Sequence, residues 1–111
     1  ISSIGGQWGG LNQVHYAASK AALINLTRSI AKIYSKDGVT SNAISPGLIA
    51  TDMSADELDS DAGSEKVKQI PMQRIGRVNE VGSTAVFLSS DDASYITGQT
   101  LNLNGGMFFS T

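Results

Sequence analysis

Tyr16 and Lys20 stand four residues apart at the start of a stretch, residues 15–35, dominated by Ala, Leu, Ile, Lys and Arg. On a helix, residues at i and i+4 project from one face a single turn apart, so an ammonium group lies beside a phenol. A free phenol ionises at about pH 10, and a neighbouring positive charge favours the phenolate, bringing proton transfer closer to neutral pH. Such a tyrosine can act as general acid or base in interconverting an alcohol and a ketone. Taken alone the pair also reads as an ordinary solvated helix face, because this spacing recurs by chance.

Ser3 precedes Tyr16 by thirteen residues and lies in an Ile-Ser-Ser-Ile segment that reads as the tail of a β-strand. Strand ends are where parallel α/β sheets present groups to ligands, so its hydroxyl is placed to orient a substrate carbonyl. Ser2 is a rival for that role, and either serine can instead cap a local backbone group. His15 adjoins Tyr16, but neighbouring helix residues diverge by about 100°, so it reads as a surface or loop-packing residue rather than a catalytic one.

These groups need a scaffold, and the residue pattern supplies its outline. A glycine-rich loop follows residues 1–4 and runs to about Gln13. The helix over residues 15–35 carries Leu23, Leu26, Ile30 and Ile33 at spacings of three and four. Residues 39–44 read as a short strand, stopped by a Pro46-Gly47 turn. The loop from Pro46 to Thr51 thus sits at a strand's carboxyl end, either as an ordinary turn or as a place for backbone groups to meet a flat polar ligand. Residues 52–68, rich in Asp, Ser and Glu, read as an exposed segment with one or two short helices, either a plain surface loop or a substrate lid. A helix over residues 80–89 and a strand over residues 100–103 complete the order. Strand, helix, strand, helix, strand implies an α/β fold, a parallel sheet joined by right-handed crossovers.

With 111 residues, the chain has room for one core. Its eight Lys and Arg against ten Asp and Glu are scattered, which points away from nucleic acid or an anionic membrane as partner. No stretch approaches the roughly 20 apolar residues of a membrane span. Cysteine is absent, so disulfides and thiolate zinc sites are excluded; no metal site is expected.

Ser3, then Tyr16-Ala17-Ala18-Ser19-Lys20-Ala21-Ala22, then Asn42-Ala43-Ile44-Ser45-Pro46-Gly47-Leu48-Ile49-Ala50-Thr51-Asp52-Met53, and finally the run from Ile96 through Asn104-Gly105-Gly106-Met107 follow one another in order. Together they resemble the classical short-chain dehydrogenase/reductase family across essentially the whole chain, most nearly its 3-oxoacyl-[acyl-carrier-protein] reductases. The resemblance implies the C-terminal half of a Rossmann-type doubly wound sheet and an NAD- or NADP-dependent reduction of a ketone to an alcohol. Tyr16 would protonate the ketone oxygen, Lys20 would lower its pKa and hold the nicotinamide ribose, and Ser3 would orient the carbonyl. Pro46, Gly47 and Ile49 would face the nicotinamide carboxamide, with Thr51 near the cofactor phosphates.

The resemblance further implies a carbonyl or acyl thioester substrate, a cytoplasmic homo-oligomer in which residues 15–35 pack on a partner subunit, and no nucleic-acid or membrane partner. No Gly-x-x-x-Gly-x-Gly turn leads from a strand into a helix here. The nucleotide-binding N-terminal half is therefore expected to be absent from residues 1–111, together with the family's catalytic asparagine. A chain of this extent is expected to be inactive by itself. The alternative is a stand-alone, non-catalytic oligomerising or binding module derived from such an enzyme.

Overall fold

The computed structural model describes residues 1–52 and 54–110, and of Ala55 and Glu57 only the backbone. Met53, within the motif quoted above, lies outside the described residues. The elements in chain order are α1 (Gly5–Trp8), α2 (Val14–Tyr34), β1 (Ala43–Pro46), β2 (Ile49–Ala50), α3 (Ala55–Leu58), α4 (Asp61–Lys68), β3 (Gly76–Arg77), α5 (Val78–Leu88) and β4 (Thr100–Leu103). This is an α/β fold with parallel strands and flanking helices.

β1 is the centre. It pairs in parallel with β4, Ala43 opposite Thr100 through Pro46 opposite Leu103. On its other side run residues 1–4: Ser2 N–H donates to the Ile44 carbonyl at 2.8 Å and Ile4 N–H to the Pro46 carbonyl at 2.9 Å. The expected strand tail is therefore present as an extended segment, but its ladder is one-sided. The return bond would come from residue 46, and proline has no N–H to give. Ala43, Ile44 and Ser45 are consecutive and all buried, so both faces of β1 are covered, and α2 and α5 both pack on it.

Four expectations shift. Part of the loop after Ile4 is a helical turn, α1, although Gly-Gly-Gln-Trp has poor helix propensity; it is held by tertiary contacts. The strand expected at residues 39–44 lies at Ala43–Pro46. Ahead of it, side chains replace the ladder: Asn42 Nδ2 donates to the Ile96 carbonyl and Gln99 N–H to Asn42 Oδ1. A second sheet, β2 with β3 in parallel, was not foreseen, since two-residue strands show no alternation. Finally, α2 buries Ala17, Ile24, Thr27 and Ala31 rather than the Leu23, Leu26, Ile30, Ile33 row, of which Leu26 and Ile33 are 53% and 56% exposed.

The segment after Thr51 forms two short helices as expected. Ser60 caps α4 by accepting from Gly63 N–H at 3.1 Å. Glu80, in the first turn of α5, reaches back to accept Arg77 N–H at 2.8 Å and is clamped by the Arg74 guanidinium at 2.7 and 3.1 Å. No helix among the described residues is long and apolar enough to cross a membrane.

Candidate active site

Ser3 sits where the extended segment bends into α1. Gly5 N–H donates to Ser3 Oγ at 3.2 Å and Gly6 N–H to the Ser3 carbonyl at 2.9 Å, so the first turn of α1 fixes both ends of the residue. Its rival is occupied otherwise: Ser2 is 3% exposed and its hydroxyl donates to the Lys20 carbonyl at 2.9 Å. Ser2 is a structural tie between the sheet edge and α2, whereas the Ser3 hydroxyl accepts the Gly5 N–H.

The approach of α1 to α2 brings Ser3 and Tyr16 together. A methyl group placed on Gly5 would lie 3.6 Å from Ser3 Oγ and 3.8 Å from Tyr16 Cε1, so hydroxyl and ring flank one small volume. At Gly6 the same methyl would stand 2.7 Å from the Lys20 carbonyl carbon and 2.9 Å from Ala21 N. Only a residue without a Cβ lets the two backbones meet this closely. Lys20 Nζ is 5.6 Å from the centroid of the Tyr16 ring and donates to the Ile1 carbonyl at 3.1 Å. Tyr16 is 40% exposed, so protons can reach it from solvent. His15 is exposed and takes no part in the cluster.

The loop residues divide. Pro46 lies beside Ile4 through the bond between Ile4 N–H and its carbonyl, which brings this strand end next to Ser3. Gly47 donates its N–H to the Leu103 carbonyl at 3.0 Å, and a Cβ there would be 2.8 Å from that of Asn104. Ile49 and Thr51 belong to the neighbourhood of the second sheet. Ile49 pairs with Gly76, and Gly76 N–H donates to the Leu48 carbonyl; backbone groups alternate sides along a ladder, so Ile49 N–H faces away from β3. Thr51 exchanges hydrogen bonds with Ser54: Thr51 N–H donates to Ser54 Oγ at 2.9 Å, and Ser54 N–H to Thr51 Oγ1 at 3.2 Å.

One group escaped sequence reasoning. Gln7 Nε2 donates to Ser45 Oγ at 2.8 Å and to Asn102 Oδ1, and Asn102 Nδ2 donates to Ser110 Oγ at 2.7 Å. Ser45 and Asn102 face each other across β1 and β4, and Ser45 is fully buried. A polar residue at 45 inside a strand otherwise apolar was the available signal. A cleft of about 510 Å³ lies apart from Ser3, Tyr16 and Lys20, among Leu48, Ile70, Met72, Asn104, Gly105 and Phe108.

The family model for Enoyl-(Acyl carrier protein) reductase matches residues 1–108. A short-chain dehydrogenase/reductase from Brucella melitensis, described as SDR:Glucose/ribitol dehydrogenase, superposes with a TM-score of 0.90 at 32% identity, over 98% of this chain and 44% of that one. The chain belongs to the short-chain dehydrogenase/reductase family. Another family structure, a short-chain type dehydrogenase/reductase from Mycobacterium ulcerans, gives a TM-score of 0.92 at 36% identity, over 96% of this chain and 39% of that one. Among curated relatives, the 3-oxoacyl-[acyl-carrier-protein] reductases of Salmonella typhimurium and Staphylococcus aureus are 44% and 43% identical over 108 residues. The chain spans 44% of the length of each of these two relatives, which themselves align with 97% of it.

Proposed function

We propose that residues 1–111 form the carbonyl-binding, proton-donating side of an NAD(P)H-dependent reductase acting on a 3-oxoacyl thioester, and that the pyrophosphate-binding loop comes from sequence outside them. The observation that carries this reading is the shared volume at Gly5, flanked within 4 Å by Ser3 Oγ and the Tyr16 ring. A serine hydroxyl and the ring of a tyrosine on either side of one small volume suit a carbonyl oxygen, which accepts two hydrogen bonds. That favours reduction at C=O over reduction of a carbon–carbon double bond, as the family model's description would have it.

The residues present suit a nicotinamide nucleotide by their chemistry. Lys20 offers an ammonium beside the Tyr16 ring for ribose hydroxyls. The Pro46 carbonyl and Gly47 N–H are already taken, which leaves the outward-facing Ile49 N–H for the carboxamide. Thr51 brings a hydroxyl near the start of α3 for the phosphates. When bound, the reduced nicotinamide supplies the hydride that adds to the carbonyl carbon. Ser3 Oγ–H holds the carbonyl oxygen, and Tyr16 Oη–H gives that oxygen its proton as the C=O bond becomes C–OH. Lys20 balances the negative charge left on the phenolate, and solvent restores the proton.

Leu26 and Ile33, exposed on α2, support self-association of the protein, since apolar side chains left in water favour burial against a second copy. The non-catalytic alternative predicts that association without turnover.

The test is consumption of NADPH or NADH with a 3-oxoacyl thioester by the natural full-length protein. Tyr16→Phe is expected to lower kcat by roughly 10²- to 10⁴-fold, the usual worth of a general acid. Absence of turnover in the wild type, or a Tyr16→Phe variant as fast as the wild type, overturns the reading.

A further inference from the structure

We propose that Gln7 is a positioning residue for the reaction, its side-chain amide clamping α1 to the sheet and thereby fixing the Ser3 hydroxyl; this rests on the reading of Ser3 and Tyr16 given above.

α1 touches each of the three candidate catalytic residues. Gly5 N–H holds Ser3 Oγ, a methyl group on Gly5 would meet the Tyr16 ring at 3.8 Å, and Gly6 lies against the backbone of Lys20. Yet α1 is a single turn of four residues with none buried, and two of the four are glycines that bring no side chain to pack. Helices this short do not hold themselves. Beyond the backbone packing of Gly6 on α2, its side-chain anchors are Gln7 and Trp8. Trp8 meets Phe108 edge to face with centroids 6.2 Å apart but remains 48% exposed. Gln7 ties α1 to both strands through its side-chain amide. One bond goes to Ser45 Oγ on β1 and the other to Asn102 Oδ1 on β4. Ser45 is fully buried, so its hydroxyl has no water to turn to. The acceptors are separated from Gln7 by 38 and 95 residues, so the clamp sets α1 by the whole fold rather than by its own turn. If it is released, Ser3 keeps its hydroxyl but loses the frame that aims it.

The experiment is a double-mutant cycle in the full-length protein, with reduced nicotinamide and a 3-oxoacyl thioester. Gln7→Met keeps the length of the side chain and removes both donors. It is expected to lower kcat by roughly 10- to 100-fold, the scale of an ångström-sized misplacement of a catalytic group, with KM for the nicotinamide nucleotide unchanged. Ser3→Ala is expected to cost much less in the Gln7→Met background than in the wild type, because the hydroxyl it removes is already misaimed. A residue of purely structural importance would not show that coupling. Should Gln7→Met not fold, Ser45→Ala, which removes one acceptor, enters the same cycle. Independent, additive losses from the two substitutions, or a Gln7→Met variant with wild-type kcat, overturn the inference. Tyr16→Phe run alongside separates the two levels: if it retains activity the reading of the site itself has failed, and if it is dead while Gln7→Met is normal only the clamp has.

Discussion

The Ser3–Lys20 corner and the stretch from Ile49 to Glu80 are built on opposite plans. In the first, the decisive contacts are long-range: α1 against α2, Ser2 Oγ to the Lys20 carbonyl, Gln7 to β1 and β4. In the second they are short-range: Thr51 with Ser54, Ser60 with Gly63, Arg74 with Glu80, with the two-residue β2–β3 pairing as the main exception. The first gains its geometry only when the whole chain is folded, and it positions a small volume between hydroxyl and ring. The second assembles turn by turn. Under the function proposed above, a site that must hold reacting atoms to a fraction of an ångström is served by the first plan, and a loop that meets a ligand with backbone groups by the second.

Substitutions at the two places should differ in kind. The largest effect is expected for Gly6→Ala, whose methyl has nowhere to go but into the backbone of Lys20 and Ala21. It should destabilise the fold by about 1–3 kcal/mol, the cost of overpacking, in a chemical melt, and it should slow turnover beyond that loss by parting Ser3 from Tyr16. If Gly6→Ala melts like the wild type, the corner is more compliant than its packing implies.

A smaller effect is expected for Ser54→Ala, which removes the hydroxyl that accepts Thr51 N–H. A loss of about 1 kcal/mol, the worth of a turn or cap bond, should appear in the melt while kcat is preserved. A large fall in kcat would show that the second region is coupled to the first after all.

The smallest effect is the acid limb of stability. The Arg74 guanidinium, and then the Arg77 N–H, hold the Glu80 carboxyl down from an ordinary 4.5 to about 2. Because the folded value is depressed, the contribution of Glu80 is complete above the unfolded value near 4.5. It is lost as pH falls through the folded value of about 2. Glu80→Gln should flatten the stability curve between those values and leave the curve at neutral pH of similar slope. An unchanged acid limb would mean that the pair is dispersed in solution.

What was legible in the sequence follows the same division. That Tyr16 and Lys20 share one helix was legible because a 21-residue helix announces itself by periodicity, and that Ser3 stands at the end of the extended segment was legible from the residues around it. That Ser2 is spent on a helix carbonyl was not, because only the fold sets that carbonyl above it. α1 escaped because glycines argue against helix, and its reason for existing lies in Ser45 and Asn102. Strand β1 was displaced toward Pro46 because proline reads as a stop, whereas here the strand runs through it and the segment 1–4 pairs by donating to the Ile44 and Pro46 carbonyls. Periodicity showed that α2 is a helix but not which side is buried: Ile24 and the small residues Ala17, Thr27 and Ala31 pack inward while Leu26 and Ile33 face outward.

Pro46 also sets how this molecule opens. The seam between residues 1–4 and β1 is bonded in one direction only, so separating it releases two amide protons, those of Ser2 and Ile4, rather than a full ladder. In hydrogen exchange these two should become labelled together, ahead of the amides that β1 shares with β4. The seam bonded in one direction therefore runs directly beside Ser3.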